Sequence, residues 1–209
     1  MKAVLYKDFT VNRNYLLILA VITLVLSGLS IYMREPVIFL FLFAMIGLLY
    51  FTAVFARDAE SNVNRTLLAG PITKTLLVNA NYLALVILGV VAFVVSGIVV
   101  TVMTSMPWQD AVFFASGSFT ITLLLSIIQL PLFYKFGPDK ARLFYIAVFI
   151  LVFAGSQFLG DHKDSLYEWV AQILTLPALA NAGILLGSTL VLAVISLVAS
   201  RAIMAQKEF

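Results

Sequence analysis

Charge is scarce in this sequence. Of 209 residues, 11% are Asp, Glu, Lys or Arg and 63% are hydrophobic, whereas soluble domains run near about 25% and about 45–50%. Such a chain has too little polar surface to wrap a water-soluble core, so the readings that begin from a soluble domain fall away. Cysteine is absent, which excludes disulfides, thiolate catalysis and Cys-based metal sites together. Histidine occurs once, as His162, so the paired histidines of a membrane metalloprotease are missing. The sequence has no Gly-x-x-x-x-Gly-Lys phosphate loop and cannot hold ATP by that route. The net charge of +3 is too small to argue for a nucleic-acid partner.

What is abundant is long apolar runs. A helix rises about 1.5 Å per residue, so a hydrocarbon layer of about 30 Å needs about 20 uncharged residues. Six stretches qualify: 14–33, 37–56, 82–104, 111–133, 143–160 and 180–200. The pieces between and around them run from 3 to 25 residues, each too short to bury a core of its own. The expectation is one all-helical, polytopic membrane domain over 1–209. The first run is too long for the h-region of a cleaved signal peptide and lacks an Ala-x-Ala site, so it is expected to stay. Six spans put both ends of the chain on one side, and the basic residues choose which. Lys2, Lys7, Arg13, Arg57, Arg65, Lys74, Lys135, Lys140, Arg142, Arg201 and Lys207 share a side, against Arg34 and Lys163 on the other. By the positive-inside rule both termini are expected in the cytoplasm.

None of the six runs contains Asp, Glu, Lys, Arg or His. Proton-coupled carriers and pumps need such groups at membrane depth, so a self-powered transporter is disfavoured and a membrane enzyme lacks its acids, bases and ligands. Pro131 interrupts a span and predicts a kink. If the chain moves a solute uphill, the energy must arrive through a partner.

The place for such a partner is the piece between the second and third spans, 57–81. A plain helical hairpin needs only about 2–8 residues. Here Arg57, Asp58, Glu60, Asn62, Asn64 and Arg65 make a polar stretch, and Gly70-Pro71 gives a turn and helix start. The second span is expected to run on past the membrane, turn at Gly70-Pro71 and return through a short surface helix over 72–78.

Asp58-Ala-Glu60, Asn64-Arg65-Thr66-Leu67-Leu68, Pro71-Ile72-Thr73-Lys74 and Asn81-Tyr82 together resemble the corresponding loop of type-2 ABC exporter permeases. Gly70 and Asn81 depart from that pattern, standing where leucine and a basic residue are usual. The opening Lys2 to Phe9 is similar to the family's amphipathic start. The inner loop Leu130-Pro131 through Phe136-Gly137-Pro138-Asp139-Lys140 looks like its turn between the fourth and fifth spans. The likeness is closest to the small permeases of Gram-positive peptide exporters, such as phenol-soluble modulin exporters. The resemblance implies a non-catalytic half-transporter in a bacterial cell membrane: a second six-span chain completes it, and two separate ATPase subunits bind ATP and Mg. It also implies that the helix after Pro71 is a coupling helix, with Asp58, Glu60, Asn64, Arg65, Pro71, Thr73 and Lys74 at the ATPase and Phe136, Gly137, Asp139 and Lys140 in a second inner loop.

On the other face, Leu166, Trp169, Val170 and Ile173 follow helical spacing before Pro177, the pattern of an interfacial helix. The resemblance makes this re-entrant element an external gate, with Trp169 and Pro177 as its marked residues. Gln129 and Gln157 are the rare polar points of a path otherwise rich in Phe and Tyr, which suits amphipathic peptides or other hydrophobic cargo. Gly183-x-x-x-Gly187 is a candidate close-contact motif. The competing reading is a scaffold, immunity or sensing subunit that docks a partner without moving anything.

Overall fold

A computed structural model describes residues 2–33, 37–60, 73–104, 107–141, 143 and 176–207. Among these the chain is helical, without a strand. In chain order the long helices are α1 (Lys2–Val11), α2 (Arg13–Met33), α3 (Val37–Glu60), α4 (Lys74–Thr104), α5 (Trp108–Phe136) and α6 (Ala178–Gln206). Five of them, α2 to α6, are long and apolar enough to cross a membrane. The expected span over 143–160, the element carrying Trp169, and Gln157 lie outside the described residues, as do Asn64, Arg65 and Pro71.

α5 is the centre of the bundle and packs on α3, α4 and α6. Its buried face is built from small hydroxyl residues, among them Ser116, Ser118, Thr120, Thr122 and Ser126, rather than from large aliphatics alone. Lipid tails are as apolar as leucine, so helices in a membrane gain little from hiding apolar surface and associate through close packing and hydrogen bonds. Small side chains allow that approach. Their hydroxyls are satisfied locally, as in Thr122 Oγ1 to the Ser118 carbonyl at 2.7 Å or across helices, as in Thr189 Oγ1 to Thr120 Oγ1 at 3.1 Å. At Gly47 on α3 an added Cβ would stand 3.1 Å from the Thr122 carbonyl oxygen, and at Gly89 on α4 it would meet Leu123 and the Phe119 ring. Both crossings with α5 therefore depend on glycine.

Pro131 lies inside α5, which continues through it to Phe136. Proline has no N–H for the carbonyl four residues earlier. That carbonyl, of Ile127, instead accepts the Ser196 hydroxyl of α6 at 2.6 Å. Ser196 also bonds the Tyr82 hydroxyl, which is 2.9 Å from Ser200 Oγ. The interruption in α5 thus becomes the knot joining α4, α5 and α6.

One sequence expectation changes. α4 runs unbroken from Lys74, so residues 74–78 are the first turn of the third span's own helix rather than a separate surface helix. No glycine or proline separates 74 from 88, and nothing else stops the helix. α1 is a helix that turns one side to the bundle and the other outward. Val4, Asp8 and Asn12 point inward, while Tyr6 and Phe9 are exposed.

Candidate functional site

The polar groups singled out from the sequence converge on one end of the bundle. There the end of α3, the start of α4 and the ends of α5 and α6 meet under α1. Lys7 of α1 hydrogen-bonds Asp58 Oδ1 on α3 at 2.8 Å. Asp8 Oδ1 lies 2.8 Å from the same ammonium as an ion pair, without a properly directed hydrogen bond. Arg57 donates to the Val11 carbonyl. Burial works against the charge of Lys7, yet its hydrogen bond to Asp58 and its attraction to both carboxylates outweigh that cost and its pKa is raised. Burial is also the largest influence on Asp8 and pushes its pKa up; Lys7 pulls it back, and the neighbouring Asp58 adds to the rise.

On the opposite side of this end, Thr73 caps α4, its Oγ1 accepting the Leu76 N–H at 3.2 Å, as an N-terminal hydroxyl does for an otherwise unpaired donor. Lys74 reaches the last carbonyls of α6, with Nζ 2.5 Å from the Lys207 oxygen and 3.4 Å from that of Ala205. A cation suits this position, because the final carbonyls of a helix lack intrahelical donors and carry partial negative charge. Arg201 of α6 returns the tie by donating twice to Asn79 Oδ1, at 2.9 and 2.6 Å. Asn81 Nδ2 donates to the Tyr134 hydroxyl at 2.7 Å, and Lys207 Nζ to the Tyr134 carbonyl at 3.1 Å. The start of α4 is therefore fastened to the ends of both α5 and α6.

The second inner loop begins at Gly137, whose φ of +80° lies in the left-handed region that favours glycine. Its N–H bonds the Phe133 carbonyl at 3.0 Å, ending α5. The next turn carries Asp139 and Lys140, both exposed. Asp139 shares a cleft of about 280 Å³ with Glu60 at the end of α3, so residues 79 positions apart in the sequence face one opening. Phe136 is exposed beneath the Lys135 ammonium, which sits 5.2 Å from its ring centre. This end presents polar and ionic side chains from two loops on a braced platform.

Residues 3–205 match the family model described as ABC-2 family transporter protein. The chain belongs to this family. It is therefore a membrane-embedded permease component of an ABC transporter. No curated protein matches the chain in sequence. The ABC-2 assignment bears out the family read from the loops. Of the expected residues, Asp58, Glu60, Thr73, Lys74, Phe136, Gly137, Asp139 and Lys140 lie at the helix termini of this end, and Glu60 and Asp139 line one cleft. Gln129, expected along a path, is fully buried between α5 and α3, with Nε2 3.0 Å from the Leu48 carbonyl and 2.9 Å from Thr52 Oγ1. Pro177 stands before the first turn of α6 at the far end, and its carbonyl accepts the Asn181 N–H at 3.1 Å. Sequence reading missed Ser196, Ser200 and Arg201; only Pro131, with its missing N–H, hinted that some hydroxyl had to come from elsewhere.

Proposed function

We propose that this ABC-2 permease is half of an ATP-driven exporter. Separate cytoplasmic ATPase subunits seat on the end that gathers Asp58, Glu60, Lys74 and Asp139, and a second six-span chain completes the path. The observation that carries this reading is the fastening of Lys74 to the last carbonyls of α6. A push at the start of α4 is thereby delivered to a second spanning helix as well as to α4, which suits rigid-body transmission. Six spans are supported by the direction of α5 and α6. Thr120 meets Thr189, Ile127 meets Ser196 and Tyr134 meets Lys207, so the two helices are parallel. Parallel α5 and α6 are what six spans in this order require. The excess of basic residues at the docking end supports its cytoplasmic side.

The apolar runs lack Asp, Glu, Lys, Arg and His, and large apolar side chains cover the outward faces of α2 and α6. Amphipathic peptides or similar hydrophobic molecules are the cargo this favours, as in the small peptide exporters of Gram-positive bacteria, with the protein in the cell membrane. The test is reconstitution with a P-loop ATPase, sought in the neighbouring reading frames. Cargo-stimulated ATP hydrolysis and outward movement in proteoliposomes are expected; movement with no ATPase present would overturn the proposal. Docking of a partner with no cargo stimulation would favour the scaffold reading instead.

A further inference from the structure

An apolar cleft of about 440 Å³ separates α2 from α4, with α3 forming its floor. α2 contributes Leu16 through Ser27 and α4 contributes Leu88 through Val99, eleven helical steps on each wall, or roughly 16 Å. That is about half the hydrocarbon thickness, the depth of one leaflet. Toward the α3 start, Leu26, Val95 and Val99 pack against the cluster of Leu42, Phe43 and Ala92. Toward α1 its line is continued by Arg13, exposed and on the same helical stripe as Leu16, Ala20 and Thr23. Tyr50 lines the cleft at 1% exposure, and its hydroxyl has no hydrogen-bond partner among the described residues.

We infer that this cleft is a binding site for an anionic phospholipid of the leaflet at the α1 end, one acyl chain lying between α2 and α4 and the phosphate held by Arg13. Charge and length choose the occupant. The walls run the depth of one leaflet, and Arg13, exposed at the start of α2, gives an anionic headgroup a partner at interfacial depth. Such a lipid is a structural part of the protein: it fills the space beside a helix whose own buried residues are only Leu19 and Ser30. The inference does not depend on the direction of transport or on an ATPase.

Native mass spectrometry of the protein released from detergent tests it, with phosphatidylglycerol and phosphatidylcholine of equal chain length as probes. One phosphatidylglycerol per chain is expected to be retained in preference to phosphatidylcholine. Thr23→Trp, which fills the cleft, is expected to lower retention roughly tenfold, the equivalent of displacing about two methylenes. Ser27→Leu, a milder filling, acts in the same direction should the tryptophan disturb folding, with helix content measured beside both. Arg13→Gln is expected to lower the phosphatidylglycerol preference by about fivefold while keeping chain binding. Undiminished retention in both filled variants, equal retention of the two lipids, or mole-for-mole displacement by an amphipathic peptide would overturn the inference.

Discussion

Pro131 illustrates how one residue sets the partners of others. Because it withholds an N–H from the Ile127 carbonyl, the Ser196 hydroxyl supplies the missing bond, and Ser196→Ala is expected to cost about 1–3 kcal/mol by orphaning a buried acceptor. Pro131→Ala restores the intrahelical donor. In that background the same Ser196→Ala change is expected to cost measurably less, though not nothing, since Tyr82 also loses a bond. Unfolding titrations on the four proteins of this double-mutant cycle would read the difference, and equal costs in both backgrounds would refute the link. Asp8 offers a second test. Its pKa is raised by burial, so the folded chain binds the proton more readily than the unfolded one. The stabilisation this gives is full below the ordinary carboxylate range and is lost as pH rises through the raised value. Lys7 stays charged throughout that window. Stability measured from acid toward neutral pH is therefore expected to fall more steeply in the parent than in Asp8→Asn; identical slopes would contradict it.

Among the helices, glycine positions separate packed crossings from open faces. Gly47 faces the Thr122 backbone oxygen and Gly89 faces Leu123 and Phe119, whereas Gly183 and Gly187 have nothing within 4 Å. Gly47→Ala and Gly89→Ala are expected to destabilise the bundle by about 1–3 kcal/mol, the usual cost of overpacking. Gly187→Ala is expected to leave the isolated subunit unharmed or slightly stabilised, since alanine is the better helix former. Loss of stability in Gly187→Ala without any change in subunit association would refute the assignment of an open face. The spans could be read from the sequence because crossing a bilayer imposes both length and apolarity, and α2, α3, α5 and α6 begin within three residues of their expected starts. The start of α4 could not: Asn79 and Asn81 look like an end, yet each is satisfied by a side chain far along the chain, Arg201 and Tyr134. Side-chain pairs separated by 53 to 122 residues leave no local pattern. The inward turn of Asp8 was hidden for the same reason, because it depends on the Lys7–Asp58 bond across 51 residues.

At the scale of the whole molecule, the braces divide into two sets. Lys7–Asp58 holds α1 to α3, while Lys74, Arg201 and Asn81 hold the start of α4 to α5 and α6. These groups lie at the end of the bundle, and the Lys74 bonds are exposed or half-buried, so losing that side chain removes at most about 1 kcal/mol of favourable interaction with the α6 terminus. The fold should survive it. Transmission should not, if displacement at the docking end reaches α6 through this contact. Lys74→Met keeps the length of the side chain and removes its charge and donors. With the proposed ATPase bound, basal ATP hydrolysis is expected to remain near the parent level while transport per ATP falls roughly tenfold, within the range of ordinary coupling energies. Arg201→Met, on the same seam but bonding Asn79 rather than a terminal carbonyl, should produce a smaller loss in the same direction. Counting cargo moved against phosphate released in one proteoliposome preparation checks both. Parallel loss of ATPase binding would mean that Lys74 contacts the partner directly, and unaltered coupling in Lys74→Met would remove α6 from the transmission route.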